Sequence, residues 1–205
     1  MLLAIAIASL AFANVAAAQD APDFSQGRII KSYNVSNPEK AGGDLKVVIV
    51  SGNGPAPLDP VEYPRVQLQP RMATSSTSAV QGKTTWNSIC YYLRNTDKLI
   101  MWYTVEKYWE YNKTRHRVTF QAINGHWGGV NWLAQALGWD YKGDNLNAST
   151  FKLYNGYYHG QHFTRYIGHF VCKPVGIPIT VARRDPQNCI SVRYNGTKSF
   201  AGSTS

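Results

Sequence analysis

From residue 84 onward the chain alternates in a β-like way. Short runs of aromatic and β-branched residues are separated by turn dipeptides about every ten residues. This spacing predicts strands near 86–93, 99–111, 115–123, 150–154, 161–172, 177–184, 188–194 and 197–200. Asn112-Lys113, Asn124-Gly125, Asn155-Gly156 and Asn195-Gly196 are the expected turns, because Asn and Gly tolerate the positive φ of tight hairpins. Residues 130–138 fit either a short helical turn or another strand. So many short strands predict an all-β fold, either an antiparallel β-sandwich or a small barrel-like fold.

Two strands have readable faces. Met101, Tyr103, Val105, Lys107, Trp109 and Tyr111 alternate with Trp102, Thr104, Glu106, Tyr108 and Glu110. Side chains alternate across a strand, so the first set is expected in the core. The second, more polar set is expected at the surface, with Trp102 and Tyr108 as exposed rings. In 113–122, Lys113, Arg115 and Arg117 fall on one face, a row of cations at about 6–7 Å spacing.

The region before residue 80 differs in kind. Residues 19–80 recur in Gly, Pro, Ser and Asn, and read as a poorly ordered lead-in with one possible strand at 45–50. Seven of ten prolines precede residue 71, whereas all six Trp and eleven of thirteen Tyr follow residue 80. Net charge is +9, and residues 1–80 carry six charges of each sign, so residues 81–205 hold the whole excess. These shifts place the start of an aromatic-rich, basic β-domain at residue 81.

Residues 1–18 are uncharged and Ala-rich, and end Ala16-Ala17-Ala18. That matches a signal peptide with small residues at its cleavage site, so a secreted, extracellular protein is expected. No later stretch is long enough to span a bilayer, so no transmembrane segment is expected in the mature chain. Cys90, Cys172 and Cys189 are an odd set. A Cys172–Cys189 disulfide, closing a loop of about 17 residues, is the preferred pair, with Cys90 a small buried hydrophobe.

Specific catalytic signatures are missing. Glu106 and Glu110 share a strand face about 13 Å apart, too far for paired-carboxylate glycoside hydrolysis. Asp140, Asp144 and Asp185 remain as possible cross-strand partners. In extended chain His159 and His162 face opposite ways, as do His162 and His169, and the cysteines lack zinc spacing. Neither a metal nor any other cofactor is expected. No nucleophile elbow or phosphate loop occurs.

The cations and rings carry more content. Lys113, Arg115 and Arg117 suit an anionic polymer, and Trp102 and Tyr108 suit sugar rings. The expectation is a secreted, non-enzymatic protein that binds an extracellular or cell-surface polymer, anionic or glycan. The alternatives are a secreted hydrolase with a carboxylate/His site assembled across strands, and a membrane-active toxin or antimicrobial. Nucleic acid is a poor partner for an exported chain.

Trp109-Glu110-Tyr111-Asn112, Gly138-Trp139-Asp140-Tyr141-Lys142-Gly143, His169-Phe170-Val171-Cys172 and the run from Cys189 to Thr197 carry a resemblance. In these the chain resembles a group of secreted, aromatic-rich β-proteins of actinobacteria. The resemblance implies export and a β-fold, and brings no activity.

Overall fold

A computed structural model describes residues 21–36, 43–57, 79–94, 96–144 and 160–204. The fold is an all-β sandwich of two packed antiparallel sheets, with no closed barrel. The first sheet is a meander, β1 (Arg28–Val35), β2 (Leu45–Asn53), β3 (Val80–Leu93), β4 (Lys98–Asn112) and β5 (Arg117–Val130), in that spatial order. A short helix, α1 (Trp132–Ala136), leads to the second sheet. That sheet holds β6 (Trp139–Asp144), β7 (Gln161–Cys172), β8 (Ala182–Arg184), β9 (Pro186–Arg193) and β10 (Lys198–Thr204). Its order is β10-β9-β7-β6, with β8 also paired to β7.

Local chemistry explains several boundaries. Asn131 caps α1 by accepting from the Ala134 amide at 2.9 Å. The β9–β10 turn falls at Asn195-Gly196, where Gly196 takes φ +78 and the Asn195 side chain accepts from the Thr197 amide. Asn124-Gly125 departs from expectation. Ile123 pairs with Lys107 and Gly125 with Glu106, so Asn124 is the extra residue of a bulge inside β5. Its side chain donates to Glu106 instead of turning the chain. The strand expected at 177–184 shrinks to β8, and β1 and β6 lie where no strand was expected. Residues 1–18, the strand at 150–154, Asn155-Gly156 and His159 lie outside the described residues.

The boundary at residue 80 marks a change of composition and not the edge of the sandwich. β2 pairs with β3 continuously from Leu45–Leu93 to Asn53–Thr85. The expected strand at 45–50 is thus an internal strand of the sheet. Leu45, Val47 and Ile49 point into the main core with Ile89, Tyr91, Met101, Tyr103, Val105 and Trp109.

Strand parity holds on one face and fails on the other. The odd residues of β4 face the second sheet, as expected. Trp102, placed by sequence at the surface, is fully buried. It belongs to a second core on the outer side of the first sheet, with Phe24, Val48, Val50, Ala56, Trp86, Cys90 and Trp127. Segments 21–27 and 54–57 supply Phe24 and Ala56 to this layer. Phe24 meets Trp86 at 5.8 Å between ring centroids. The Ala56 amide donates to Glu106 Oε2 at 2.7 Å, anchoring the covering chain on the sheet.

The Cys172–Cys189 disulfide is absent, and all three cysteines are free thiols. Cys189 lies opposite Arg165 on β7, and Cys172 is the last residue of that strand. Seven residues of strand separate them by about 23 Å, far beyond the roughly 4.4–6.8 Å that a disulfide tolerates. Cys90 is fully buried in the second core, and burial raises its thiol pKa strongly.

Burying an indole removes roughly 150–250 Å² from water, an upper bound of about 4–6 kcal/mol. Trp102→Ala is therefore expected to cost ~3–5 kcal/mol in urea unfolding, and Phe24→Ala a comparable amount. A Trp102 that served at the surface would leave the urea midpoint unchanged.

Candidate functional site

β4 runs the length of the sandwich, so residues at its two ends define two poles. At the pole where β4 ends and β5 begins, Lys113, Arg115 and Arg117 are all exposed. They do not form a strand row. β5 starts only at Arg117, and Lys113–His116 make the turn. Asn112 imposes this by accepting from the Arg115 amide at 2.8 Å, and His116 adopts φ +49. The cations therefore fan out from a hairpin tip.

Other cations extend from this pole toward the middle of the first sheet. Lys83 near the start of β3 donates to the Gly196 carbonyl at 3.2 Å and lies 5.5 Å from the centre of the Tyr111 ring. Arg193 is exposed at the end of β9. Lys198, at the start of β10, donates to Gly52 O at 2.7 Å, to Asn53 Oδ1 at 2.6 Å and to Thr85 Oγ1. Burial, then the nearby Lys83 charge, lowers the Lys198 pKa to about 8. Beyond it, Arg28, Ile30, Ser51, Ser199 and Phe200 join Lys198 in lining a cleft of about 370 Å³. Among the described residues, Arg28, Lys83, Lys113, Arg115, Arg117, Arg193 and Lys198 form no ion pair with a carboxylate.

From β1 to β5 this band crosses four inter-strand spacings, about 19 Å, and runs obliquely, because Arg28 registers through Ser51 and Asn87 with Val105 in the middle of β4. The aromatic expectation survives in part beside it. Tyr108 is half-exposed, with its ring 6.1 Å from that of exposed Phe120 and its hydroxyl donating to Glu110 Oε1 at 3.0 Å. The register places Arg117 on the same face. Trp102 contributes nothing to this surface.

A second cluster was missed from sequence. His126 on β5 contacts Asp144 Oδ2 on β6 through Nδ1, and the same carboxylate oxygen accepts from Tyr103 of β4 at 3.1 Å. Tyr166 of β7 stacks on the imidazole at 4.8 Å. Four strands from both sheets thus meet at the His126–Asp144 pair. Burial, then Asp144, raises the pKa of both Tyr103 and Tyr166, so both stay neutral and Tyr103 keeps its donated bond. The glycines around His126 and Tyr103 are its sequence trace: a Cβ at Gly168 would fall 2.8 Å from Tyr103, and one at Gly128 2.8 Å from Tyr141. The other acids stand apart. Glu106 is buried against Ala56 and Asn124, Asp140 pairs with Lys142, and Asp185 pairs with His169 and Arg183.

Between the sheets lies Lys107, fully buried, donating to Thr164 Oγ1 at 2.6 Å. Burial lowers its pKa from 10.5 to about 7. The unfolded chain keeps this proton to much higher pH, so the unfolded state binds more protons above pH 7 and stability rises with pH there. The urea midpoint is expected to climb between about pH 7 and 9. In Lys107→Met the climb should shrink to the share left by Lys198, and stability at pH 7 should rise by about 2–4 kcal/mol after the loss of the Thr164 bond.

No protein-family model, curated protein or solved structure matches the chain.

Proposed function

We propose that this is a secreted, non-enzymatic binding protein that holds an anionic polysaccharide across its basic pole. The supporting observation is the band of cations without carboxylate partners among the described residues, which is longer than any single small anion. An isolated phosphate or carboxylate would engage two or three of these side chains. A chain of sugars bearing phosphate, sulfate or carboxylate groups could engage the exposed ones in turn, while Lys198, whose three donors are held by Gly52, Asn53 and Thr85, adds only its charge. Tyr108 and Phe120 offer ring faces beside the band, where sugar rings can stack. Export rests on the N-terminal apolar segment and its small-residue cleavage pattern.

Dextran sulfate and neutral dextran are suitable paired probes. Binding is expected to dextran sulfate alone and to weaken as salt is raised, because exposed charges are screened. Each cation removed should cost a few tenths to one kcal/mol, so Lys113→Ala/Arg115→Ala/Arg117→Ala should weaken binding by about tenfold. Equal affinity for neutral dextran, or an unaltered triple variant, would refute the assignment.

The His126–Asp144 pair favours a second reading, a hydrolase. A carboxylate on Nδ1 fixes the tautomer and leaves Nε2 free to accept a proton from water or a substrate hydroxyl. This reading expects turnover on some member of a panel of esters and polysaccharides, reduced at least about a hundredfold in His126→Ala. Silence across the panel, or equal turnover by the variant, rules it out.

A further inference from the structure

The opposite pole, where β4 begins, has different chemistry. The chain between β7 and β8 reads Lys173-Pro174-Val175-Gly176-Ile177-Pro178-Ile179-Thr180-Val181. Val175 is 92% exposed, Ile179 66% and Ile177 43%. Trp132, the first residue of α1, is 60% exposed. The helix and the loop meet directly: the Lys173 amide donates to Gly138 O at 2.7 Å, and Cys172 Sγ donates to Leu137 O at 3.3 Å. Four large exposed apolar side chains thus share one end of the sandwich.

The surrounding charges bear on what could cover them. Asp44 pairs with Arg94, Asp97 with Lys46, Asp140 with Lys142, and Asp185 with Arg183 and His169. These acids are compensated, whereas Asp23, beside Tyr92 and Leu99, accepts only from the Ser25 amide among the described residues. Lys98 and Lys173 are exposed cations with no carboxylate partner among the described residues. The apolar tip is a short loop with two prolines, and at its Gly176, φ +83, an added Cβ would meet nothing within 4 Å. A protein interface needs a broad surface with a complementary shape. A lipid interface needs a few aliphatic side chains that dip below the headgroups, an indole at headgroup level, and lysines facing anionic lipid.

We infer that the Val175–Ile179 loop and Trp132 form a membrane-surface anchor for a bilayer containing anionic lipid. The loop inserts shallowly, Lys98 and Lys173 meet lipid phosphates, and the bilayer stays intact. This inference is independent of polysaccharide binding, because it uses the other end of the molecule.

Co-sedimentation of the full chain with vesicles of phosphatidylcholine and phosphatidylglycerol tests it. Binding should exceed that to phosphatidylcholine alone. Val175→Asp/Ile179→Asp should weaken it at least about tenfold without changing the thermal melt, since both side chains are solvent-exposed. Brominated phosphatidylcholine, mixed into the same vesicles, should quench tryptophan fluorescence, and Trp132→Phe should remove most of that quenching. Encapsulated dye should not leak. No sedimentation would overturn the inference. So would sedimentation undiminished in the loop variant, including a case where only Lys113→Ala/Arg115→Ala/Arg117→Ala abolishes it, which would place the lipid contact at the basic pole. Dye release at binding concentrations would replace an anchor with a membrane-disrupting activity.

Discussion

The first sheet is apolar on both faces, and the rest of the architecture answers to that. β3 and β4 carry Ile89, Tyr91, Tyr103 and Trp109 on one side, and Trp86, Cys90 and Trp102 on the other. A sheet with one wet face needs a single partner layer, whereas this one needs two. The second sheet covers the inner face. The outer face is covered by irregular chain from before β1 and after β2, fixed by Phe24, Ala56 and the Glu106 hydrogen bond. The Pro- and Gly-rich N-terminal region is therefore structural over the segments described.

Between the sheets a few polar groups select one mutual position. Asn87 of β3 donates to Asn188 Oδ1 at 2.9 Å, and Asn188 returns a bond to Asn87 O at 2.6 Å. Lys107 and Thr164 make a second link. Aliphatic side chains slide past one another at little cost, but breaking either polar link leaves a buried donor without an acceptor. Lys107 lowers stability in return, because its proton is costly in an apolar interior.

Much of the fold was legible in the sequence because period-two alternation is local. The strands at 86–93, 99–111, 161–172 and 188–194, and the turn at Asn195-Gly196, follow from residues that touch their own neighbours. Trp102 was misplaced because its cover comes from Phe24 and Ala56, far away in sequence, in a stretch whose composition suggests disorder. Alternation puts Lys113 and Arg115 on a strand because it carries no trace of the Asn112 side chain that closes the turn. His126 and Asp144 were separate residues until the chain crossed from one sheet to the other. No spacing rule links them, and only the small residues at 128 and 168 hint that bulky groups crowd there. The alternation at 177–184 reads as a strand, yet only Ala182–Arg184 pairs, because hydrophobicity alone does not tell a buried edge from an exposed tip.

The free thiols have a consequence for how the chain must reach this state. In an unfolded chain Cys172 and Cys189 are near neighbours, and a loop of that length closes readily. In the sandwich they sit at different levels of the second sheet, held apart by most of the length of β7. The bridge and the native pairing of β7 with β9 are therefore mutually exclusive. Wherever an oxidant is present, oxidation and folding compete for the same segment. Forming the second sheet early would protect the product, since pairing with β9 fixes Cys189 opposite Arg165 while pairing with β6 and β8 buries Cys172. A covalent link that stabilises many exported domains would here trap the chain in the wrong topology.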